Sequence, residues 1–267
     1  NPNKNLQIIN INKDYVIERP GQKKIFLLKN EKNLGLTAGL NVGYDFLIRQ
    51  NYDYIARIDC DFIISKKYLE NMKNLFQQDK MIVAASPKIK HAFLRNTVWW
   101  AGLKINWPYL KFHRTMNLKK KRNIDDDTFK GVIETDAVCG CCSFYKKDVL
   151  ELSGLGDEDF FLGPEDIELS FRLKKFGKLL VNLNTYTLHK IARSSDISGK
   201  FRRSYTDAVG FLLLIKKIGS FMDKLFGYSY FILRIPIYYI LKVFLRRDKD
   251  LVNGHIKGCK DFFLNRY

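Results

Sequence analysis

From residue 6 to residue 89, short apolar runs alternate with longer amphipathic ones, and this rhythm is the strongest constraint on what the chain can fold into. LQIINI (6–11), KIFLLKN (24–30), YIARID (54–59) and MIVAASPKI (81–89) have the length and the branched or aromatic content of buried strands. TAGLNVGYDFLIRQ (37–50) and KKYLENMKNLFQQD (66–79) carry helical spacing, the second with apolar residues at 68, 69, 72, 75 and 76. Strands that alternate with helices predict an α/β domain, with a mostly parallel sheet flanked by helices. Residues 90–130 read as an irregular, solvated excursion in which KKKR (119–122) faces DDD (125–127). After it, VIETDAVCGCCSFY (132–145) reads as a strand and KKDVLELSG (146–154) as a helix. IELSFRLKKFG (167–177) reads as a further helix and LLVNLNTYTLH (179–189) as a last strand.

With 267 residues, 46% of them hydrophobic, the chain has material for one large domain plus an appendage. Five cysteines, three of them clustered at 139–142, are too few for a disulfide framework and suit a reducing compartment. The polar opening NPNKNLQIIN lacks the apolar core of a signal peptide.

The formal charge of +18 is concentrated toward one end: residues 200–267 hold 14 Lys and Arg against 5 Asp and Glu. That excess calls for an anionic partner, nucleic acid or anionic lipid. Nucleic acid is the weaker choice, because acids gather at the candidate site and no nucleic-acid-binding module is recognisable. YSYFILRIPIYYILKVFLRR (228–247) is apolar but interrupted by Arg234, Pro236 and Lys242. Arg234, Lys242 and Arg246 share one side of a helix, the pattern of a segment lying in a membrane interface. AVGFLLLIKKIGSFMDKLF (208–226) could be its companion, with Lys216, Lys217 and Lys224, while two ordinary core-packing helices would give the same pattern. The division expected is a domain over 1–203 and a basic helical region over 204–267. Residues 204–247 would dock the protein, from the cytoplasm, on the anionic inner face of the cell membrane.

Chemistry gathers at three places. Asp59 and Asp61 follow a core strand at a spacing that projects both to one side. Two hard oxygen ligands there suit Mg²⁺ or Mn²⁺ bridging a diphosphate, although two turn-capping acids would give the same letters. Glu165 and Asp166 open a helix after Pro164, next to Phe160 and Phe161. Aromatic surroundings raise a carboxylate's proton affinity, as a general base requires, while simple capping is the plain alternative. Asn33, Gly35, Gly39, Asn41 and Gly43 lie where a strand hands over to a helix, so backbone amides there can approach a phosphate or form an ordinary turn. His189 ends the last strand. Cys139 and Cys142 form a Cys-x-x-Cys without a second ligand pair, and read as small buried strand residues.

The order of these pieces is more specific than any one of them. N-x-G…G-x-N-x-G, then ID-x-D, then WWAG, then the block 138–177 and a histidine resembles glycosyltransferase family 2, most nearly its rhamnosyltransferase-like members. The likeness runs from about Asn30 to the C-terminus. It implies a GT-A fold and inverting transfer from a nucleoside-diphosphate sugar to a glycan or lipid-linked acceptor, in cell-surface polysaccharide biosynthesis. It further implies that Asp61 and His189 bind Mg²⁺ or Mn²⁺ and that Asp59 contacts the metal or the ribose. Asp166 would be the base, with Glu165 beside it. Asn33, Gly35, Gly39 and Asn41 would serve the nucleotide, and Trp100, Gly102 and Gly140 the sugar and acceptor. Family members open with a strand–helix–strand unit carrying P-x-Y/F-N. NPNKNLQ resembles the loop after that unit, so the expectation is a fragment that binds nucleotide poorly, or an impaired scaffold of the same fold.

Overall fold

The computed structural model describes residues 7–12, 14–15, 24–94, 96–106, 111–114, 124–126, 129–190, 199–239 and 249–267. β1 (Gln7–Ile11) and β2 (Lys24–Leu28) pair in parallel as a separate two-stranded sheet. The central sheet is built from β3 (Tyr54–Ile58), β4 (Phe62–Ile64), β5 (Ile82–His91), β6 (Val98–Trp100), β9 (Val132–Glu134), β10 (Cys142–Lys146) and β11 (Lys178–His189). Its main order is β3-β10-β5-β11-β4, with β6 on β5 and β9 on β11. β7 (Leu103–Asn106) and β8 (Lys111–Arg114) form a hairpin outside it.

The sheet is mixed, which corrects the expectation of a mostly parallel one. β5 and β11 pair in parallel, and β10 lies antiparallel to both β3 and β5, so β3, β5 and β11 still run one way around an inserted strand. β5 is buried over its first eight residues, as befits a strand covered on both faces. Pro87 falls where β10 has ended and β6 has not begun, the gap that a residue without an N–H needs. The stretch 132–145 is not one strand: β9 ends at Glu134 and residues 135–141 leave the sheet before β10. The segment 90–130 is more regular than expected, since it holds β6, β7 and β8. KKKR at 119–122 and Asp127 lie outside the described residues.

Helices cover both faces. α1 (Leu36–Ile48), α3 (Lys147–Leu152) and α4 (Glu165–Leu173) close one face around Tyr44, Ile55, Tyr145, Leu150 and Leu173. α2 (Tyr68–Gln78) closes the other, inserting Tyr68, Met72, Leu75 and Phe76 at helical spacing. The expected helix 208–226 is two helices, α5 (Lys200–Ile218) and α6 (Phe221–Tyr239). Gly219 ends the first, and a reciprocal cap between Ser220 and Asp223 starts the second. The face of α5 expected at a membrane is core: Ala208, Val209 and Leu212 to Ile215 are buried with Phe160, Ile167 and, from α7 (Lys249–Phe263), Cys259 and Phe262. The boundary expected at 203/204 falls inside α5. No helix among the described residues is long and apolar enough to cross a membrane. Lys242 and Arg246 lie outside the described residues, and so does the side chain of Arg234.

Candidate active site

The turn after β3 presents Asp59 and Asp61, and short β4 brings His189 to Asp61. In the antiparallel β4–β11 register His189 lies opposite Phe62, which sets its Nε2 3.1 Å from Asp61 Oδ2. Phe62 stacks on the imidazole at 4.5 Å and Trp99 meets it edge-on at 4.7 Å, so the ring is held on two sides. Two ligand atoms on neighbouring octahedral positions, each 2.0–2.1 Å from Mg²⁺, stand about 3 Å apart. Asp61 and His189 are therefore spaced as two ligands that would hold one small divalent cation. Asp59 does not join them: no group of three or more His, Cys, Asp or Glu gathers for a metal among the described residues. Its carboxylate is drawn instead to a buried guanidinium, with Oδ1 3.7 Å from Arg57 Nε.

Arg57 is the residue sequence reasoning missed. It is the fourth of the five residues of β3, with its side chain 5% exposed, between Asp59 and the Glu165 carboxylate, whose Oε1 it reaches at 3.3 and 3.4 Å. Burial alone would lower this guanidinium's pKa, and Tyr145, Tyr44, Glu165 and Asp59 around it more than reverse that. The signal was available: a charge in an apolar strand demands a buried partner. For Asp59 burial pushes the carboxyl up, with Arg57 opposing and Asp61 adding to the rise.

Asp166 is held from the loop between β9 and β10. Three successive amides of that loop donate hydrogen bonds: Val138 to Ser170 Oγ at 3.1 Å, Cys139 to Ser86 Oγ at 2.9 Å, and Gly140 to Asp166 Oδ2 at 2.9 Å. Burial and the neighbouring Glu165 raise the Asp166 carboxyl to about 6, while the Gly140 amide and Arg57 restrain it. Gly140 has no room for a side chain, since a Cβ there would lie 2.9 Å from Asp166 Cβ.

Asp59, Arg57, Gly140, Glu165 and Asp166 face one cleft of about 680 Å³. Its opposite wall comes from α5, with Arg202, Arg203, Thr206 and Asp207, none of which sequence reasoning placed there. Helix α5 reaches the cleft by a close approach: a Cβ on Gly210 would lie 2.4 Å from the Gly163 carbonyl oxygen.

The glycine and asparagine cluster packs against the 154–164 segment. Asn41 donates to the Gly156 carbonyl at 2.8 Å and to Glu158 at 2.9 Å, and accepts from the Gly156 amide at 2.8 Å. Leu36 N–H donates to Phe161 O at 2.8 Å, and Thr37 Oγ1 donates to Phe160 O. Asn33 Oδ1 accepts from Gly35 N–H, and Gly35, at φ +85°, leaves the space that the Phe161 ring fills. A Cβ on Gly39 would meet only the Asn30 side chain, at 3.9 Å. These residues hold the 154–164 segment that delivers Glu165 and Asp166. Trp100 lies in β6 and Gly102 in the turn after it, and neither lines the cleft. Cys139 and Cys142 are buried, and Cys141 lines the cleft.

A helix-flanked mixed sheet, with β10 running against β3 and β5 and acids following β3, is that of a GT-A fold. The model described as Glycosyl transferase family 2 matches residues 8–152, more than half of the chain, and the chain belongs to that family. None of the curated proteins compared matches it. Among solved structures it is similar to GalNAc-T7 with UDP, GalNAc and Mn²⁺, at 17% identity and a TM-score of 0.49 over 62% of this chain. The match spans only 32% of the GalNAc-T7 chain. It is also similar to the mannosyltransferase PcManGT from Pyrobaculum calidifontis in complex with GDP-Man and Mn²⁺, at 11% identity and a TM-score of 0.48, covering 91% of this chain and 70% of that one. A197 from STIV follows at 12% identity and 0.40, covering 70% and 85%.

Proposed function

We propose that the protein is an inverting glycosyltransferase that moves a hexosyl or rhamnosyl-like group from a nucleoside-diphosphate sugar to a hydroxyl of a glycan or lipid-linked acceptor. Family membership supports the class. The observation that carries the chemistry is Asp166, a carboxyl raised to about 6 and aimed into the cleft by the Gly140 amide. A base of that pKa is ionised at neutral pH and still basic enough to accept a proton in the transition state. The acceptor oxygen bonds to the anomeric carbon while the bond from that carbon to the diphosphate oxygen breaks. The hydroxyl proton passes to Asp166, and the bonding pair leaves with the nucleoside diphosphate. A single displacement inverts the anomeric centre. Arg57 keeps Asp166 from rising further, so that the base stays ionised. A divalent cation, Mg²⁺ or Mn²⁺, held by Asp61 and His189, would neutralise charge on the leaving diphosphate.

The same enzyme would work at the anionic inner face of the cell membrane, in polysaccharide assembly. Helix α6 supports this, since Phe221, Met222, Leu225, Phe226, Leu233 and Ile237 are exposed along it at helical spacing. The test is release of nucleoside diphosphate from UDP-, dTDP- and GDP-sugars, with and without Mn²⁺. The expected result is Mn²⁺-dependent release from one donor class, lost in Asp61→Asn and needing more Mn²⁺ in His189→Ala, with circular dichroism unchanged. No release from any donor would count against the transferase.

A further inference from the structure

Two cavities meet beside Asp166. Past Leu162, Gly163, Arg202 and Thr206, which line both, the catalytic cleft continues into a second groove of about 500 Å³. The chemistry changes along the way. The floor of the groove is Phe160, Val209 and Leu213, all core residues; half-exposed Phe161 and Tyr267 stand at its rim, and its two carboxylates, Glu158 and Asp159, are engaged by Asn41 and Lys217. Arg202, Thr206, Val209 and Leu213 recur on one face of α5, so the guanidinium end and the apolar end stand about 16 Å apart at the helical rise of 1.5 Å per residue. Arg203 joins Arg202 in the cleft wall. Neither guanidinium has an ion-pair partner among the described residues, although Asp59, Glu165 and Asp166 line the same cleft.

We propose that the acceptor is a lipid-linked phosphate sugar, an assignment that rests on the transferase function proposed above. Its apolar tail lies in the groove, its linking phosphate meets Arg202 and Arg203, and its sugar hydroxyl reaches Asp166. The order of chemistries along α5 is the order of groups in such a molecule. A free oligosaccharide would leave the apolar floor without a partner. A neutral lipid alcohol would leave both guanidinium groups unmatched, and Arg forks are suited to phosphate.

Isothermal calorimetry on the full chain tests this with three probes: farnesyl phosphate, inorganic phosphate and farnesol. Farnesyl phosphate is expected to bind at least about tenfold more tightly than either fragment. Arg202→Glu and Tyr267→Asp change exposed side chains at the two ends, and each is expected to weaken farnesyl phosphate by about tenfold at an unchanged melting temperature. Equal binding of inorganic phosphate and farnesyl phosphate would overturn the role of the groove. Equal binding of farnesol would overturn the role of the arginines. The wild-type comparison decides both points even if a variant misfolds. Donor hydrolysis in water, read on the same preparation, separates the two proposals. Hydrolysis without farnesyl phosphate binding overturns the acceptor class and leaves the transferase standing. Binding without hydrolysis of any donor removes the transferase, and the acceptor assignment with it.

Discussion

Replacing Gly140 by alanine tests the placement of Asp166 with a single methyl group. A Cβ at 140 would stand 2.9 Å from Asp166 Cβ, 3.0 Å from its Oδ2 and 3.1 Å from Arg57 Nη1. Carbon contacts relax at about 3.5–4.0 Å, so the Asp166 side chain must retreat by roughly 0.6–1 Å. The retreat breaks its 2.9 Å hydrogen bond from the Gly140 amide. A displacement of that size at a reacting group costs about 10²-fold in rate. The amide also restrains the Asp166 pKa, so its loss lets burial and Glu165 push the carboxyl above about 6. The rising limb of kcat against pH should therefore move to higher pH. Nucleoside diphosphate release between about pH 5 and pH 9 reads both effects. Calorimetry should show donor affinity retained. A kcat within about threefold of wild type, on an unmoved limb, would refute the placement of the base.

Asp166→Asn should cut transfer by about 10²–10⁴ with donor binding intact. Because burial raises that carboxyl from 3.8 to about 6 on folding, its contribution to stability is present below the unfolded value and is lost as pH rises through the folded one. Thermal unfolding should therefore favour the amide variant at about pH 8 and not at about pH 4, and an equal difference at both would contradict the raised pKa. Arg57→Met leaves Glu165 buried without its cation and should cost about 3–5 kcal/mol in urea unfolding, much of it recovered when Glu165→Gln is added. No recovery in the double variant would remove the ion pair as the cause. Co-sedimentation with phosphatidylglycerol vesicles should pellet the full chain and release it in high salt, while a Phe221→Ser, Leu225→Ser, Phe226→Ser variant should stay in the supernatant. Pelleting unchanged by those three substitutions would exclude α6 as the docking face.

The elements legible in the sequence are those whose side chains repeat with a clear period. α2 announces itself through Tyr68, Met72, Leu75 and Phe76, and β5 through the apolar run Ile82 to Ala85 at its start. Strand direction leaves no such trace, which is why the antiparallel insertion of β10 was not foreseen. β4 is three residues long, below the length at which alternation can be read, yet it carries His189 to Asp61. Residue types and their order pointed to Asp61, Asp166 and His189. The partner of Asn41 was not legible, because an amide at the start of a helix can serve a ligand or a neighbouring loop equally well, and it clamps Gly156. The apolar side of α5 was ambiguous for a related reason: a stripe of Val209, Leu212 and Leu213 suits a bilayer and a protein core alike, and only the partners Phe160 and Phe262 decide.

The pair between Arg57 and Glu165 spans 108 residues of chain. At about 5–20 residues per second of synthesis, Arg57 leaves the ribosome roughly 5–20 s before the carboxylate that makes its burial tolerable. Until then β3 carries a cation that resists being packed away, and its neighbour β10 does not yet exist. An early collapse around Ile55 would have to bury that charge with only the 3.7 Å contact to Asp59 beside it, so the nascent chain is discouraged from closing on the wrong partner. The Arg57–Glu165 pair thus ties the burial of one end of β3 to a carboxylate that arrives 108 residues later.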